Sequence, residues 1–264
     1  MRRRTGLSWL WFSLGIVYFF LPLVATFLFS LHGKKGVLSF AAYANVFADP
    51  TFLRTFGFSL EMAAFTVLAG LALIVPTAIW VQLKLPKAKP LFDFLTLLPF
   101  AIPPIILAFG LIRAYSRPPL ALVSSPALLV AGYVVISFPY IYRSVDSGLR
   151  AMDLRGLSEA AQSLGAGWGR LFFKVVLPNL RTALLSAAFL TLAIVVGELT
   201  LAVLLAWPAF GPYMALMGRN RAYEPAALAI MSFVLTWGSI GIIQALARTG
   251  RGRDEGAGLG AGAH

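Results

Sequence analysis

Long apolar runs with almost no charged residues recur along this chain, and they constrain its fold more than any other feature. A spanning helix needs about 20 mostly apolar residues, and six runs qualify. They lie near residues 7–31, 56–83, 91–112, 120–142, 182–207 and 225–247. Continuous apolar runs with internal Gly and Pro favour helices over a barrel, whose strands would alternate apolar and polar residues. The sequence therefore predicts an all-α membrane protein whose six transmembrane helices form one domain over residues 1–247.

Composition agrees with this class and excludes several kinds of chemistry. Hydrophobic residues make up 59% of the chain and charged residues only 12%, which is typical of a multi-pass membrane protein. There is no cysteine, so disulfides, thiol catalysis and Cys-based metal sites are excluded. The two histidines, His32 and His264, do not have a metal-ligand spacing. We therefore expect no metal site and no cofactor.

The positive charge of the chain is distributed unevenly across the predicted membrane. The net charge is +12, and 15 of the 22 Lys and Arg residues fall on the side shared by both termini and two loops. Those residues are Arg2, Arg3, Arg4, Lys84, Lys87, Lys89, Arg143, Arg150, Arg155, Arg170, Lys174, Arg181, Arg248, Arg251 and Arg253. The positive-inside rule then predicts that both termini and the loop at 154–178 are cytoplasmic. This pattern explains the charge without a role in nucleic-acid binding.

The loop 154–178 is the longest connection between the apolar runs, and its pattern predicts two short helices separated by a glycine. Asp153 suits the N-cap of the first helix, and Gly165 suits its end, because Gly accepts the left-handed conformation. The second helix is expected from Trp168 until Pro178 begins the next span. The first helix carries an apolar stripe at i, i+3, i+4 and i+7, formed by Leu157, Ala160, Ala161 and Leu164. Two small helices with an apolar stripe form a docking surface rather than a linker.

The same loop resembles a motif of a known family. Glu159-Ala160-Ala161, then Gly165, then Val175-x-Leu177-Pro178 is similar to the EAA loop of permease subunits of binding-protein-dependent ABC importers. The family pattern is EAA, three residues, Gly, nine residues, Ile, one residue, Leu-Pro. This chain differs from it only in Val175, a mild apolar replacement of Ile. Residue types, spacing and position between two spans all agree.

The resemblance implies a fold, a role and a set of partners. It implies the type I ABC importer transmembrane fold, with a cytoplasmic coupling helix and half of a solute pathway that works by alternating access. The partners would be cytoplasmic ATPase subunits, a second permease (a sister subunit or a second copy) and an extracytoplasmic solute-binding protein, all at the inner membrane. The coupling residues would be Glu159, Ala160, Ala161, Leu164, Gly165, Leu177 and Pro178.

The chain itself shows no means of hydrolysing ATP. A P-loop requires GxxxxGK[ST], and the Gly33-Lys34 pair is followed by Lys35. No nucleophile and base are spaced for catalysis either. The prediction is a non-catalytic transport subunit that receives energy from a separate ATPase.

Glu198 is a carboxylate inside the fifth predicted span, and such a charge costs about 3 kcal/mol or more unless it is paired or hydrated. Two interpretations stay open. Glu198 could line the pathway and attract a cationic solute, together with Thr200 and with Glu61 as a second acid. Alternatively, it could make a structural hydrogen bond to a neighbouring helix or to Thr200, and Glu61 could be solvated near the outer interface.

The solute class follows only from a weaker resemblance. The run Gly-Glu-Leu-Thr-Leu-Ala at 197–202 resembles permeases of the polyamine, iron(III) and thiamine importer group. Together with the acid at Glu198 it favours a cationic solute, with spermidine or putrescine first and iron(III) or thiamine as alternatives. A secondary transporter or channel is the alternative from another class, although it would need no docking loop.

Three further expectations concern the remaining segments. Pro99, Pro103 and Pro104 should interrupt the third span. The loop at 84–90 is expected to do little beyond setting the topology. The Gly-rich tail at 248–264 has no apolar face and is predicted to be disordered.

Overall fold

A computed structural model of the chain describes residues 4–32, 37–234, 237–238 and 241. Regular structure within these residues is helical, apart from an isolated bridge between His32 and Ser39. The helices are α1 Arg4–Ser30, α2 Ala41–Ala48, α3 Pro50–Lys84, α4 Pro86–Ala101, α5 Pro104–Tyr115, α6 Pro126–Arg150, α7 Leu154–Ser163, α8 Trp168–Asn179, α9 Arg181–Gly197, α10 Thr200–Leu204, α11 Phe210–Asn220 and α12 Glu224–Val234. The all-helical prediction is confirmed for the described residues.

Three of these helices are long and apolar enough to cross a membrane: α1 from Ser8, α3 and α6. The number rises to five if the bent pairs α4–α5 and α8–α9 each count as one span. The apolar helix α12 covers the start of the sixth predicted span, near 225–247. The rest of that span and the tail at 248–264 lie outside the described residues.

The third and fifth predicted spans are not straight helices. Between α4 and α5 the axis turns by 97°, at the point where Pro103 and Pro104 follow each other. Proline removes a backbone donor and clashes with the preceding turn, so the predicted interruption has its expected cause. The predicted run 182–207 is divided as well, because α9 ends at Gly197 and α10 begins at Thr200.

The fourth predicted span also differs in its limits. Helix α6 begins at Pro126 and continues to Arg150, whereas the apolar run suggested 120–142. Ser125 fixes the start, because its hydroxyl accepts a hydrogen bond from the Ala127 N–H at 3.2 Å and proline occupies the first helical position. A polar cap and a favourable Pro therefore outweigh the apolar character of the preceding residues.

The chain forms two compact units, and the first comprises the described residues of Met1–Thr55 and Pro212–Trp237. Helix α1 is exposed along nearly all of its length, whereas α2 is held by hydrogen bonds. The Tyr43 and Ser30 hydroxyls lie 2.8 Å apart, and the Asn45 amide donates to the Glu224 carboxylate at 3.1 Å. The α2 region is thus an ordered element.

The second unit comprises the described residues of Phe56–Gly211 and Gly238–His264 and contains two hydrophobic clusters. One cluster joins α3, α5, α6, α9 and α10 around the buried Tyr133 and Leu201. The other joins α3 and α6 to α7, α8 and α9, and its fully buried members include Leu149, Leu171 and Leu180. Burial of such side chains contributes about 1.5–3 kcal/mol each, so the second cluster anchors α7 and α8 firmly.

Candidate coupling site

Helix α7 begins at a capped residue, as predicted. The Asp153 side chain accepts a hydrogen bond from the Gly156 N–H at 3.0 Å, which satisfies one of the free amides of the first turn. The peptide after Asp153 places Leu154 in the core, where it is 3% exposed. The cap and the buried residue together fix where the helix starts.

The end of α7 is a Schellman motif centred on Gly165. The Gly165 N–H donates to the Gln162 carbonyl at 2.9 Å, and the Ala166 N–H donates to the Ala161 carbonyl at 2.9 Å. Gly165 has a φ of +75°, the left-handed conformation that Gly adopts without steric cost. Gly165 therefore ends α7, as predicted.

The residues of the apolar stripe predicted on α7 do not all face the same way, because some pack against the core and others are exposed. Leu154 and Ser158 are buried and Ala161 packs against the core, so one face of the helix belongs to the subunit itself. Ala160 and Leu164 point outward, and Leu164 is 87% exposed. Sequence periodicity finds the stripe, but the tertiary contacts decide which members remain free.

Glu159 lies on the outward face of α7. It borders a cleft of about 290 Å³ that Leu83, Lys84, Arg155, Ser158, Gln162 and Trp168 also line. The described residues contain no ion pair of Glu159, although two basic side chains share the cleft. The exposed carboxylate of Glu159 and the exposed side chain of Leu164 give the surface of the loop one charged and one apolar group.

A tilted pair of tryptophan rings connects the second helix of the loop to α3, and the sequence does not predict this contact. The rings of Trp168 and Trp80 lie 5.9 Å apart at 34°, and the Lys84 ammonium lies 5.5 Å from the centre of the Trp168 ring. Such ring pairs and cation–π contacts contribute about 0.5–1.5 kcal/mol each. The contacts of Trp168 with Trp80 and Lys84 join the first turn of α8 to the last turns of α3.

Helix α8 leads directly into the fifth predicted span. Its central part, Leu171–Val176, is π-helical, and both of those residues are buried. Leu177 is half-buried and Pro178 is exposed in the last turn, after which the axis bends by 72° into α9. The segment is a rigid connection, because Leu171, Val176 and Leu180 are at most 1% exposed.

A charged network joins α4 and α6 near the loop, so the connection at 84–90 does more than set the topology. Lys89 pairs with Asp146, and Asp146 also pairs with Arg150 at 2.7 Å. The Tyr142 hydroxyl donates to the Asp93 carboxylate at 2.9 Å, and Lys89 lies 3.9 Å from the same carboxylate. The sequence signals of this network are the i,i+4 spacings of Lys89 with Asp93 and of Asp146 with Arg150, whereas the pairing of α4 with α6 has no such signal.

The predicted pathway residues lie in two places, and no contact among the described residues joins Glu61 to Glu198 or Thr200. Glu198 ends α9, and its carboxylate accepts hydrogen bonds from the Thr200 and Leu201 N–H groups at 2.8 and 2.9 Å. The donor in the hydrogen bond from Thr200 to Glu198 is the Thr200 backbone N–H. Thr200 itself is half-buried. Glu61 is exposed on α3.

Known proteins resemble this chain in sequence and in fold. The molybdate/tungstate transport system permease protein WtpB of Pyrococcus abyssi is 26% identical over 231 residues, covering 88% of this chain and 89% of that protein. The spermidine/putrescine transport system permease protein PotB of Escherichia coli is 28% identical over 165 residues, covering 56% and 59%. A bacterial ABC transporter involved in the import of the acidic polysaccharide alginate has the same fold, with a TM-score of 0.71, 14% identity and coverage of 94% and 96%.

The family model described as binding-protein-dependent transport system inner membrane component matches residues 74–249. The match covers the loop at 154–178 and both helices that flank it, and several apolar helices fit a multi-pass protein of the inner membrane. The chain belongs to the family of inner membrane components of binding-protein-dependent transport systems.

Proposed function

We propose that this subunit forms half of a solute pathway and takes energy from a cytoplasmic ATPase through α7. The observation that carries the proposal is the outward face of α7, where Glu159, Ala160 and Leu164 are exposed on a helix whose other face is buried. A fixed helix with one charged and one apolar contact point fits a groove on a soluble partner. The orientation with both termini in the cytoplasm is part of the proposal, supported by the positive-inside pattern.

Force applied to α7 has a direct route to the fifth predicted span. Leu154, Leu171 and Leu180 belong to one buried cluster, so displacement of α7 is transmitted through packed side chains to α8 and α9. Close-packed interiors have low compressibility and transmit strain. Closure of two ATPase subunits would thus open the pathway outward, and hydrolysis would reset it. A second permease and an external binding protein complete the proposed assembly.

The solute remains a proposal supported by chemistry more than by similarity. Relatives are named for an oxyanion, molybdate or tungstate, and for the polyamines spermidine and putrescine. Glu61 is an acid within the apolar helix α3, and Glu198 lies at the end of the apolar helix α9, which favours a cationic solute. We therefore place a polyamine first and iron(III) or thiamine next. Family membership disfavours the secondary transporter or channel.

Glu159→Lys tests the docking proposal. The side chain is exposed, so the variant is expected to insert and fold normally, yet the reversed charge should prevent association with the ATPase. The measurement is co-purification of the ATPase subunit in mild detergent, followed by mass spectrometry and ATP-driven uptake in the complete transporter. Glu159→Gln, which removes the charge without reversing it, is expected to show a smaller loss. Normal association and uptake by Glu159→Lys would contradict the role of this face.

A further inference from the structure

The division between α9 and α10 is built by one side chain. Helix α9 ends at Gly197, Glu198 has an extended ψ of 128°, and α10 begins at Thr200. The Glu198 carboxylate accepts hydrogen bonds from three successive amides, those of Thr200, Leu201 and Ala202, at 2.8, 2.9 and 3.4 Å. The acid therefore occupies the place that backbone carbonyls take in a continuous helix.

Because the Glu198 carboxylate accepts these hydrogen bonds, the carbonyl groups at the helix break lose their usual donors. In an uninterrupted α-helix the amides of residues 200–202 would donate to the carbonyls of residues 196–198, because each N–H pairs with the fourth residue before it. The carboxylate takes those donors, so the carbonyls of Val196, Gly197 and Glu198 leave the regular pattern. The backbone of Gly211 packs against the Glu198 carbonyl so closely that a Cβ at Gly211 would collide with the carbonyl oxygen. The carbonyls of Val196 and Gly197 are the two that remain, and Gly197 is exposed.

The segment after the break is fixed rather than loose. The Trp207 ring stacks on Phe58 with centroids 5.6 Å apart and an interplanar angle of 15°. The Phe210 N–H donates to the buried Ser59 hydroxyl at 2.9 Å. Leu201 and Leu205 are buried in the hydrophobic cluster of α3, α5 and α6. The break is thus a preorganised feature of the fold and keeps its carbonyls in one position.

The position of the break inside an apolar run decides what its exposed side can face. Non-helical backbone at membrane depth is tolerated only against protein or a water-lined cavity, because hydrocarbon offers no hydrogen-bond donors. We propose that the carbonyls of Val196 and Gly197, with the Glu198 carboxylate behind them, form a pathway subsite for a protonated amine of the solute. This rests on the proposed transport function and makes its cation preference specific. Carbonyl dipoles and a carboxylate create a negative potential that attracts ammonium groups and repels oxyanions.

Cysteine labelling tests the subsite, because the natural chain contains no cysteine. A Cβ at Gly197 meets no heavy atom within 4 Å, so Gly197→Cys places a thiol beside the carbonyls without a clash. Gly218→Cys in α11 has equally open space and serves as the matched control. Each variant is treated in native membranes, within the complete transporter, with methanethiosulfonate reagents carrying either an ammonium or a sulfonate group. The rates are measured at rest and with ATP and vanadate.

The expected result is that the ratio of ammonium to sulfonate labelling at Gly197→Cys exceeds the control ratio by about tenfold or more, because a unit charge about 4 Å away contributes about 1 kcal/mol even in water and acts with opposite sign on the two reagents. Spermidine is expected to slow this labelling and sulfate to leave it unchanged. Equal ratios at the two positions would overturn the subsite, and so would a lack of labelling in both states, which would place the break against protein. The docking proposal is judged separately, because labelling at residue 197 does not require association of the ATPase at Glu159.

Discussion

The indole of Trp168 at the start of α8 lies 5.9 Å from the indole of Trp80 near the end of α3, with the Lys84 ammonium over the ring of Trp168. The contact ties the loop at 154–178 to a helix that is distant in sequence. Trp168 and Lys84 also line the cleft that Glu159 borders. The position of the proposed docking face is therefore expected to depend on a contact outside the loop motif.

Trp168→Ala is expected to loosen α8 without unfolding the subunit. Loss of the ring pair and of the cation–π contact should cost about 1–2 kcal/mol locally. Hydrogen exchange of the amides in Leu171–Val176, measured by mass spectrometry, should become faster, and Trp168→Phe should restore part of the protection. Leu164→Ala is the control, because that side chain is 87% exposed and holds nothing in place. Equal exchange in both variants would contradict the anchoring role of Trp168.

Gly165→Ala is expected to destabilise the end of α7. The φ of +75° costs an L-residue about 1 kcal/mol or more, since the Cβ then approaches the carbonyl oxygen. Gly167→Ala is a matched control two residues away, because its φ is −74° and its added Cβ meets open space. Thermal unfolding in detergent and ATPase association should both fall for the first variant and stay unchanged for the second. A similar loss in both would point to a need for glycine that is unrelated to φ.

Asp146→Asn is expected to destabilise the junction of α4 and α6. The Asp146 side chain is 14% exposed and pairs with both Lys89 and Arg150, and Lys89 is itself only 24% exposed. Removing the carboxylate should cost about 1–3 kcal/mol, because a largely buried ammonium loses the nearer of its two carboxylate partners and keeps only Asp93 at 3.9 Å. In double-mutant cycles the coupling with Lys89→Met should exceed that with Arg150→Met, since Arg150 is 59% exposed. Equal couplings would show that burial does not govern this network.

Asp49, which lies outside the predicted spans, is expected to make the stability of the fold depend on pH. Its pKa is held below the ordinary value of 3.8, chiefly by the Thr51 N–H and then by the Tyr213 hydroxyl, which donates at 2.8 Å. The ionised form is favoured in the folded state, so its stabilisation is present above pH 3.8 and is lost as the pH falls through the lower, folded pKa. Tyr213→Phe should reduce stability near neutral pH, and the difference from the natural chain should shrink below pH 3.8. Thermal unfolding across pH 3–7 measures this, and a difference independent of pH would contradict it.

Local signals in the sequence are enough to predict α7, but the sequence does not predict the long-range contacts that hold the loop. Asp153 and Gly165 act through their own neighbours, so their capping roles can be inferred from residue type and position. Trp80 and Trp168 carry no such local signal, because each is simply an aromatic residue near a predicted interface. Their contact depends on how α3 and α8 are packed.

Glu198 shows the same limit at the scale of one side chain. The sequence identifies an acid in an apolar run, and both open interpretations follow from that fact alone. The structure adds which donors the carboxylate accepts, and these are the three backbone amides at the start of α10, including that of Thr200. Sequence periodicity also treats 182–207 as one helix, since an extended residue at position 198 does not change the apolar pattern.

The bend at the end of α8 has a consequence for the direction of motion. Because α8 meets α9 at 72°, a force along α8 acts mostly across the axis of α9 and only slightly along it. Under the proposed coupling, α9 is therefore expected to tilt about its end at Leu180, with sliding along its own axis as the smaller component. Spin labels placed along α9 would then report displacements that grow steadily with distance from Leu180.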